Sequence, residues 1–176
     1  MLIIFAGLPG VGKSTIAQQV AACIGAIYLR IDSIEQAIQS SGILLPGADV
    51  GPSGYMAAYC IAADNLHLGQ FVIADSVNPL RITRDAYRDV AVKAGAGFIE
   101  VEIVCSDPVI HRHRLETRPP GVEGLKSPTW EQVKTRPYEA WDRTRLQLDT
   151  ALLPVARSVE LILDAVSAVG LRKVRI

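Results

Sequence analysis

Apolar residues fall into two alternating patterns along the chain. Runs rich in apolar residues at 2–6, 26–31, 71–75, 98–105 and 146–148 have the length and β-branched content of strands buried on both faces. Between them the apolar positions recur at helical spacing, as at Ile16, Val20, Cys23 and Ile24. Helices are expected from Lys13 to a stop at Gly25 and from Ile34 to Ser41-Gly42. Others are expected over residues 55–68 before Gly69, over 83–94, and from Pro108 to Pro119-Pro120. Two more follow, one after Thr129 and one over 153–168. Strand runs alternating with helical stretches specify a parallel sheet covered by helices, and the chain 1–176 reads as one α/β domain.

Cap and turn chemistry marks the boundaries. Ser33 with Gln36, and Thr129 with Gln132, have the spacing of capping boxes, and Asp107 precedes a proline suited to a first helical turn. Residues 42–54 carry Gly42, Pro46, Gly47, Gly51, Pro52 and Gly54 and are expected to form a loop. Glu100 and Glu102 fall on one face of the fourth strand, where a sheet covered on both sides offers them no role.

Charge narrows the partners. Eighteen Lys and Arg balance eighteen Asp and Glu, so no overall field draws the protein onto nucleic acid or an anionic membrane. The most apolar late stretch, 151–169, is broken by Pro154, Arg157, Glu160 and Asp164, and no membrane span is expected. No basic residue precedes the first apolar run, so no secretory signal is expected and the location is expected to be cytoplasmic. Cys23, Cys60 and Cys105 are odd in number and far apart, which suits buried, reduced thiols.

One segment carries specific chemistry. Gly7-Leu8-Pro9-Gly10-Val11-Gly12-Lys13-Ser14 matches the phosphate-loop pattern, and it lies between a predicted strand and a predicted helix, as that pattern requires. The glycines let backbone N–H groups turn inward around phosphate oxygens, and the helix adds the positive end of its dipole. Lys13 would reach the β- and γ-phosphates of ATP, and the Ser14 hydroxyl would coordinate Mg²⁺. Asp75 ends a buried strand at the same sheet edge, the place of an acid that holds the metal's hydration shell; a turn or cap aspartate is the competing reading. Asp32 ends the second strand and is placed to accept a hydroxyl proton, against the alternative of a helix cap. Arg114 and Arg118, four apart on a helix, would repel unless an anion such as a phosphate chain lay between them, or a partner such as Glu116 neutralised them. His111 and His113 point in different directions on a helix and make no metal pair. Tyr55 and Tyr59 share a face, to line an acceptor pocket or to pack the core.

With these residues in this order, the chain resembles the AAA-type group of small P-loop kinases, which includes chloramphenicol phosphotransferase and the kinase domain of polynucleotide kinases. The matching stretches are the loop from Gly7 to Thr15, then Ile31-Asp32-Ser33-Ile34-Glu35, Ile73-Ala74-Asp75-Ser76-Val77-Asn78-Pro79 and Arg114-Leu115-Glu116-Thr117-Arg118. The resemblance implies a three-layer P-loop NTPase fold with a five-stranded parallel sheet in the order 2-3-1-4-5 and a helical lid over about 117–128. It also implies Asp32 as the base and Arg114 and Arg118 as phosphate-binding groups. The arginine that monophosphate and shikimate-type kinases place after the second-strand aspartate is replaced here by Ser33, Ile34, Glu35 and Gln36. The acceptor is therefore expected to be neutral or cationic.

The expected function is ATP- and Mg²⁺-dependent phosphorylation of a small-molecule hydroxyl. The alternatives are a 5′-hydroxyl polynucleotide or nucleoside kinase, and a nucleotide-binding switch or ATPase. Charge balance yields a first prediction. Oligonucleotides with a free 5′-hydroxyl will be poor substrates in a γ-phosphate transfer assay; efficient transfer, with a KM that climbs steeply with salt, would refute it.

Overall fold

The first strand, β1 (Leu2–Ala6), has no exposed residue and forms the middle of the sheet. It pairs in parallel with β3 (Val72–Asp75) on one side and β4 (Phe98–Val104) on the other. The strands β2 (Ile27–Arg30) and β5 (Leu146–Asp149) complete a parallel sheet in the order β2-β3-β1-β4-β5, as expected. The computed structural model describes residues 1–45, 48–119, 121, 122, 124, 125 and 127–173. Pro46 and Gly47 of the expected loop, and lid positions 120, 123 and 126, lie outside the described residues.

Side chains alternate across a strand, so β1 feeds two cores. Ile3 and Phe5 pack with Ile16 and Val20 of α1 (Lys13–Ile24) and with Val159 and Ile162 of α7 (Val155–Lys173). Leu2 and Ile4 pack on the other face with Ile31 of α2 (Ile31–Ser40), Ala58 and Ala62 of α3 (Ser53–His67), and Tyr87 and Ala91 of α4 (Arg81–Lys93). The remaining helices are α5 (Pro108–Thr117) and α6 (Trp130–Lys134). No described helix is long and apolar enough to cross a membrane.

Two of the three expected caps form. The Asp107 side chain accepts from the N–H groups of Val109 and Ile110 at 2.8 and 3.0 Å, and Thr129 and Gln132 make a reciprocal capping box. The Ser33 cap does not. The chain passes from β2 into α2 with no loop: Arg30 is extended and the helix starts at Ile31. Burying Ile31 against the sheet outweighs a local cap, so Asp32 sits in the first turn of a helix and not at the end of a strand. The expectation of buried thiols also fails in part. All three cysteines are free, but Cys23 and Cys60 are exposed and Cys105 is half-buried, because the inward faces of α1 and α3 run through Val20 and Ala62 instead.

Glu100 and Glu102 acquire an explanation. On the face they share, Glu100 and Glu102 meet the irregular segment 138–145 that leads into β5, and not a helix. Arg143 holds Glu100 through two nitrogens, Nη2 at 2.7 Å from Oε1 and Nε at 2.9 Å from Oε2, and also pairs with Asp85. Arg145 Nε donates to Glu102 Oε2 at 2.7 Å, with Gln147 and Tyr138 donating to the same carboxylate. Burial pushes the Tyr138 hydroxyl up to about 12, so it stays a donor. Trp141 lies among these cations, with the Arg84 guanidinium 4.4 Å from its ring centre. The cluster latches the segment that follows α6 onto the sheet. Its removal has a predictable cost: Arg143→Ala leaves the Glu100 carboxylate buried without its cation and should lower stability by about 3 kcal/mol in urea denaturation. Replacing Glu100 and Arg143 together by methionine should recover most of that loss.

Candidate active site

The loop after β1 turns at Gly7, where φ is +135° and an added Cβ would lie 2.1 Å from the Ile103 carbonyl oxygen of β4. No other residue fits there. Gly12, with φ +97°, is the N-cap of α1 and supplies no side-chain cap, so the amides of the first turn are open to an anion. Four contacts brace the loop from outside. Gly7 N donates to Val77 O, Asn78 Nδ2 donates to Phe5 O, His111 Nε2 lies 2.8 Å from Pro9 O, and Thr150 Oγ1 donates to Val11 O. His111 is thus a brace, packed edge-on against Trp130. Among the described residues no group of three or more His, Cys, Asp or Glu could hold a metal.

Lys13 is buried and its ammonium donates to Leu8 O at 3.0 Å. Burial pulls its pKa below the ordinary lysine value, while Asp75 and Asp32 pull it back up. Asp75, at the end of β3, is 3% exposed, and its Oδ2 accepts from the Tyr28 hydroxyl at 2.6 Å. Burial, then Asp75, raises the Tyr28 pKa far above the usual phenol, and Ser14 adjoins the same hydroxyl. Among the described residues no donor reaches the second Asp75 oxygen. One carboxylate oxygen and the Ser14 hydroxyl are a sparse oxygen set, which fits Mg²⁺ held mainly by water and phosphate.

The structure brings Asp32 to the same edge, where Arg30 Nη2 stands 3.5 Å from its Oδ2. Arg30 Nη1 donates to the Gly121 carbonyl of the expected lid at 2.7 Å. Arg114 and Arg118 do not form the expected pair along one helix face. Arg118 is the C-cap of α5 and leaves the helical path, and its Nε is buried without a partner among the described residues. Arg114 is tied to Thr150, through Oγ1 at 2.8 Å and the carbonyl at 3.1 Å. Both arginines still line one cavity of about 760 Å³, together with Gly12, Lys13, Ser14 and Leu153. A second cavity of about 850 Å³ is lined by Asp32, Glu35, Tyr55, Asp75, Ser76 and Arg136. The two share Lys13, Ser14, Arg30, Arg118 and Gly121. Tyr55 therefore faces the second cavity, whereas Tyr59 packs edge-on against Tyr87 and donates to Thr83 O.

Sequence reasoning missed Tyr28, Arg30, Thr150 and Arg136. Only Arg30 carried a signal, as the basic residue closing a strand at the functional edge. The other three reach the loop through pairing and packing that no local spacing encodes.

The family model described as AAA domain, AAA_33, matches residues 2–136. No curated protein matches the chain. Among solved structures, a candidate kinase from Chloroflexus aurantiacus is similar at 21% identity and a TM-score of 0.72, over 96% of each chain. Mycobacterium tuberculosis APS kinase CysC, solved with AMPPNP and APS, is 19% identical with a TM-score of 0.69, over 94% of this chain and 96% of that one. A gluconokinase from Sinorhizobium meliloti 1021 is 20% identical with a TM-score of 0.61, over 90% and 86%. At such identities the likeness is one of fold. The family match extends from β1 to the residues just beyond α6, and with the phosphate loop seated at the centre of a 2-3-1-4-5 sheet the chain belongs to the AAA-domain family and has the fold of the small P-loop kinases.

Proposed function

We propose that the protein transfers the γ-phosphoryl group of ATP to a hydroxyl of a small molecule. The observation that carries this reading is the meeting of two cavities at Lys13, Ser14 and Arg118, one beside the phosphate loop and one around Asp32. A nucleotide in the first would present its terminal phosphate to an acceptor in the second.

The loop amides and Lys13 hold the phosphates. Asp32 takes the proton of the acceptor hydroxyl as its oxygen attacks the γ-phosphorus, and Arg30 orients the Asp32 carboxylate. Arg118, which lines both cavities, is better placed than Arg114 to neutralise charge on the transferring group, because Thr150 already occupies Arg114. Ser14 and Asp75 would hold Mg²⁺, which supplies charge neutralisation across the phosphates when bound. Gly121, held by Arg30, brings the lid segment over the junction, which supports a role in excluding water.

A nucleic-acid acceptor has little support. Arg84 is 2% exposed beneath Trp141, Arg81 pairs with Asp85 and Asp142, and Arg88 lies over Phe98, so no basic track runs along α4. A pure switch would leave the cavity around Asp32 without a use.

Two outcomes test the roles. Asp32→Asn should reduce kcat by about 10²-fold with Mg·ATP affinity little changed in calorimetry; unchanged kcat would remove Asp32 from the reaction. Tyr28→Phe frees the Asp75 carboxylate and should raise the Mg²⁺ concentration needed for half-maximal ATP binding by about 10-fold, measured by titration calorimetry at graded Mg²⁺. An identical Mg²⁺ profile would show that Tyr28 does not position the metal ligand.

A further inference from the structure

The second cavity holds two charged side chains that the phosphoryl-transfer machinery leaves unused. Glu35 lies one turn beyond Asp32 on α2 and is half-buried. Its side chain is pressed on the backbone of α3, where a Cβ at Gly54 would come 2.4 Å from Glu35 Cγ, so its position is set by packing. Arg136, just past α6, lines the same cavity, and its charge is felt at Lys13, Glu35 and Tyr55. Among the described residues neither the Glu35 carboxylate nor the Arg136 guanidinium has a hydrogen bond or ion pair, to each other or to anything else. Ser76 is 4% exposed and lines the cavity, with its hydroxyl lying against those of Tyr55 and Tyr87.

Resting on the kinase reading above, we propose that the acceptor is a zwitterion: a small hydroxyl-bearing amino acid, with its ammonium at Glu35, its carboxylate at Arg136 and its hydroxyl at Asp32. A half-buried carboxylate gains charge-assisted hydrogen bonds from an ammonium, and Asp32, three residues away on the same helix face, adds to the pull on a cation. Burial and the neighbouring Asp32 raise the Glu35 pKa, with Arg136 opposing, and a bound ammonium would relieve that strain. A purely anionic acceptor leaves the Glu35 carboxylate unpaired beside Asp32. A purely cationic one leaves Arg136 without a partner, and a neutral polyol leaves both charges unmatched. The Tyr55 hydroxyl, which accepts from Asn78 N, can donate its proton to a polar atom between the two charged ends.

In the reaction the acceptor oxygen forms the new bond to the γ-phosphorus, and the bond from that phosphorus to the β,γ-bridging oxygen breaks. ADP leaves with the electron pair, and the hydroxyl proton passes to Asp32 and then to water. The product is an O-phosphoamino acid.

The test offers the full chain Mg·ATP with L-serine, L-threonine or L-homoserine, and with the corresponding amino alcohols and hydroxy acids, each lacking one charged group. Glycerol serves as the neutral polyol, and products are identified by mass spectrometry. At least one amino acid should be phosphorylated with kcat/KM about 10-fold or more above both of its truncated analogues, the worth of one charge-assisted contact. Glu35→Gln should raise KM for that amino acid and erase its advantage over the hydroxy acid, with KM for ATP unchanged. Arg136→Gln should erase its advantage over the amino alcohol. Equal or better turnover of a singly charged analogue or of glycerol would overturn the zwitterion and leave the kinase standing. An Arg136→Gln effect on KM for ATP alone would overturn it too, by placing Arg136 on the nucleotide. ATP hydrolysis with no acceptor phosphorylated would overturn the kinase reading as well.

Discussion

Gly7 has no room for a side chain, and the rest of the site depends on that. Its Cα lies so close to the Ile103 carbonyl that a methyl group would collide with it. This contact lets the chain leave the central strand and turn back over the sheet edge at once, which puts the open amides of α1 at the head of β1. The contacts around it come from distant parts of the chain. Asn78 reaches Phe5 from the β3 side, and Thr150 reaches Val11 from the β5 side while it holds Arg114. An anion-binding loop made of backbone must be rigid to be selective, and here three separate segments, at 77–78, 111 and 150, supply the rigidity.

The second constraint is electrostatic. Two carboxylates on a central strand of a parallel sheet would be costly if they faced a helix packed with apolar groups. They face Arg143 and Arg145 instead, on an irregular segment stacked around Trp141. That segment follows α6 and carries the chain away from Arg136. The latch at Glu100 and Glu102 thus anchors the strand of chain that brings Arg136 to the acceptor cavity, and a fold-stabilising cluster becomes part of how the site is placed. Glu139 extends the same connection, since its backbone carbonyl accepts from the buried Arg84.

Under the proposed reading the two cavities divide the chemistry, with the nucleotide side built from α1, α5 and the start of α7 and the acceptor side from α2, α3 and α6. Lys13 and Ser14 stand at the boundary, where a transferring phosphoryl group would have to pass. Arg30 links the Gly121 carbonyl and the Asp32 carboxylate, so one side chain holds a residue of the expected lid segment and the proposed base together.

Local pattern determined much of this protein. The buried strand runs, the Asp107 and Thr129 caps, the phosphate loop and the sheet-edge position of Asp75 all follow from short-range rules: side-chain period, cap hydrogen bonds and the φ values that only glycine tolerates. Where short-range rules compete with burial they fail, as at Ser33, whose cap was lost when Ile31 entered the core, and at Cys23 and Cys60, which lie on the outer flanks of their helices. Only tertiary structure decided the partners of Glu100 and Glu102, the hydrogen bond from Tyr28 to Asp75, the tie between Arg114 and Thr150, and the arrival of Arg136 in the cavity that Glu35 lines. Each joins residues more than thirty positions apart along the chain, for which no periodicity exists, so their meeting is set by strand order and packing alone.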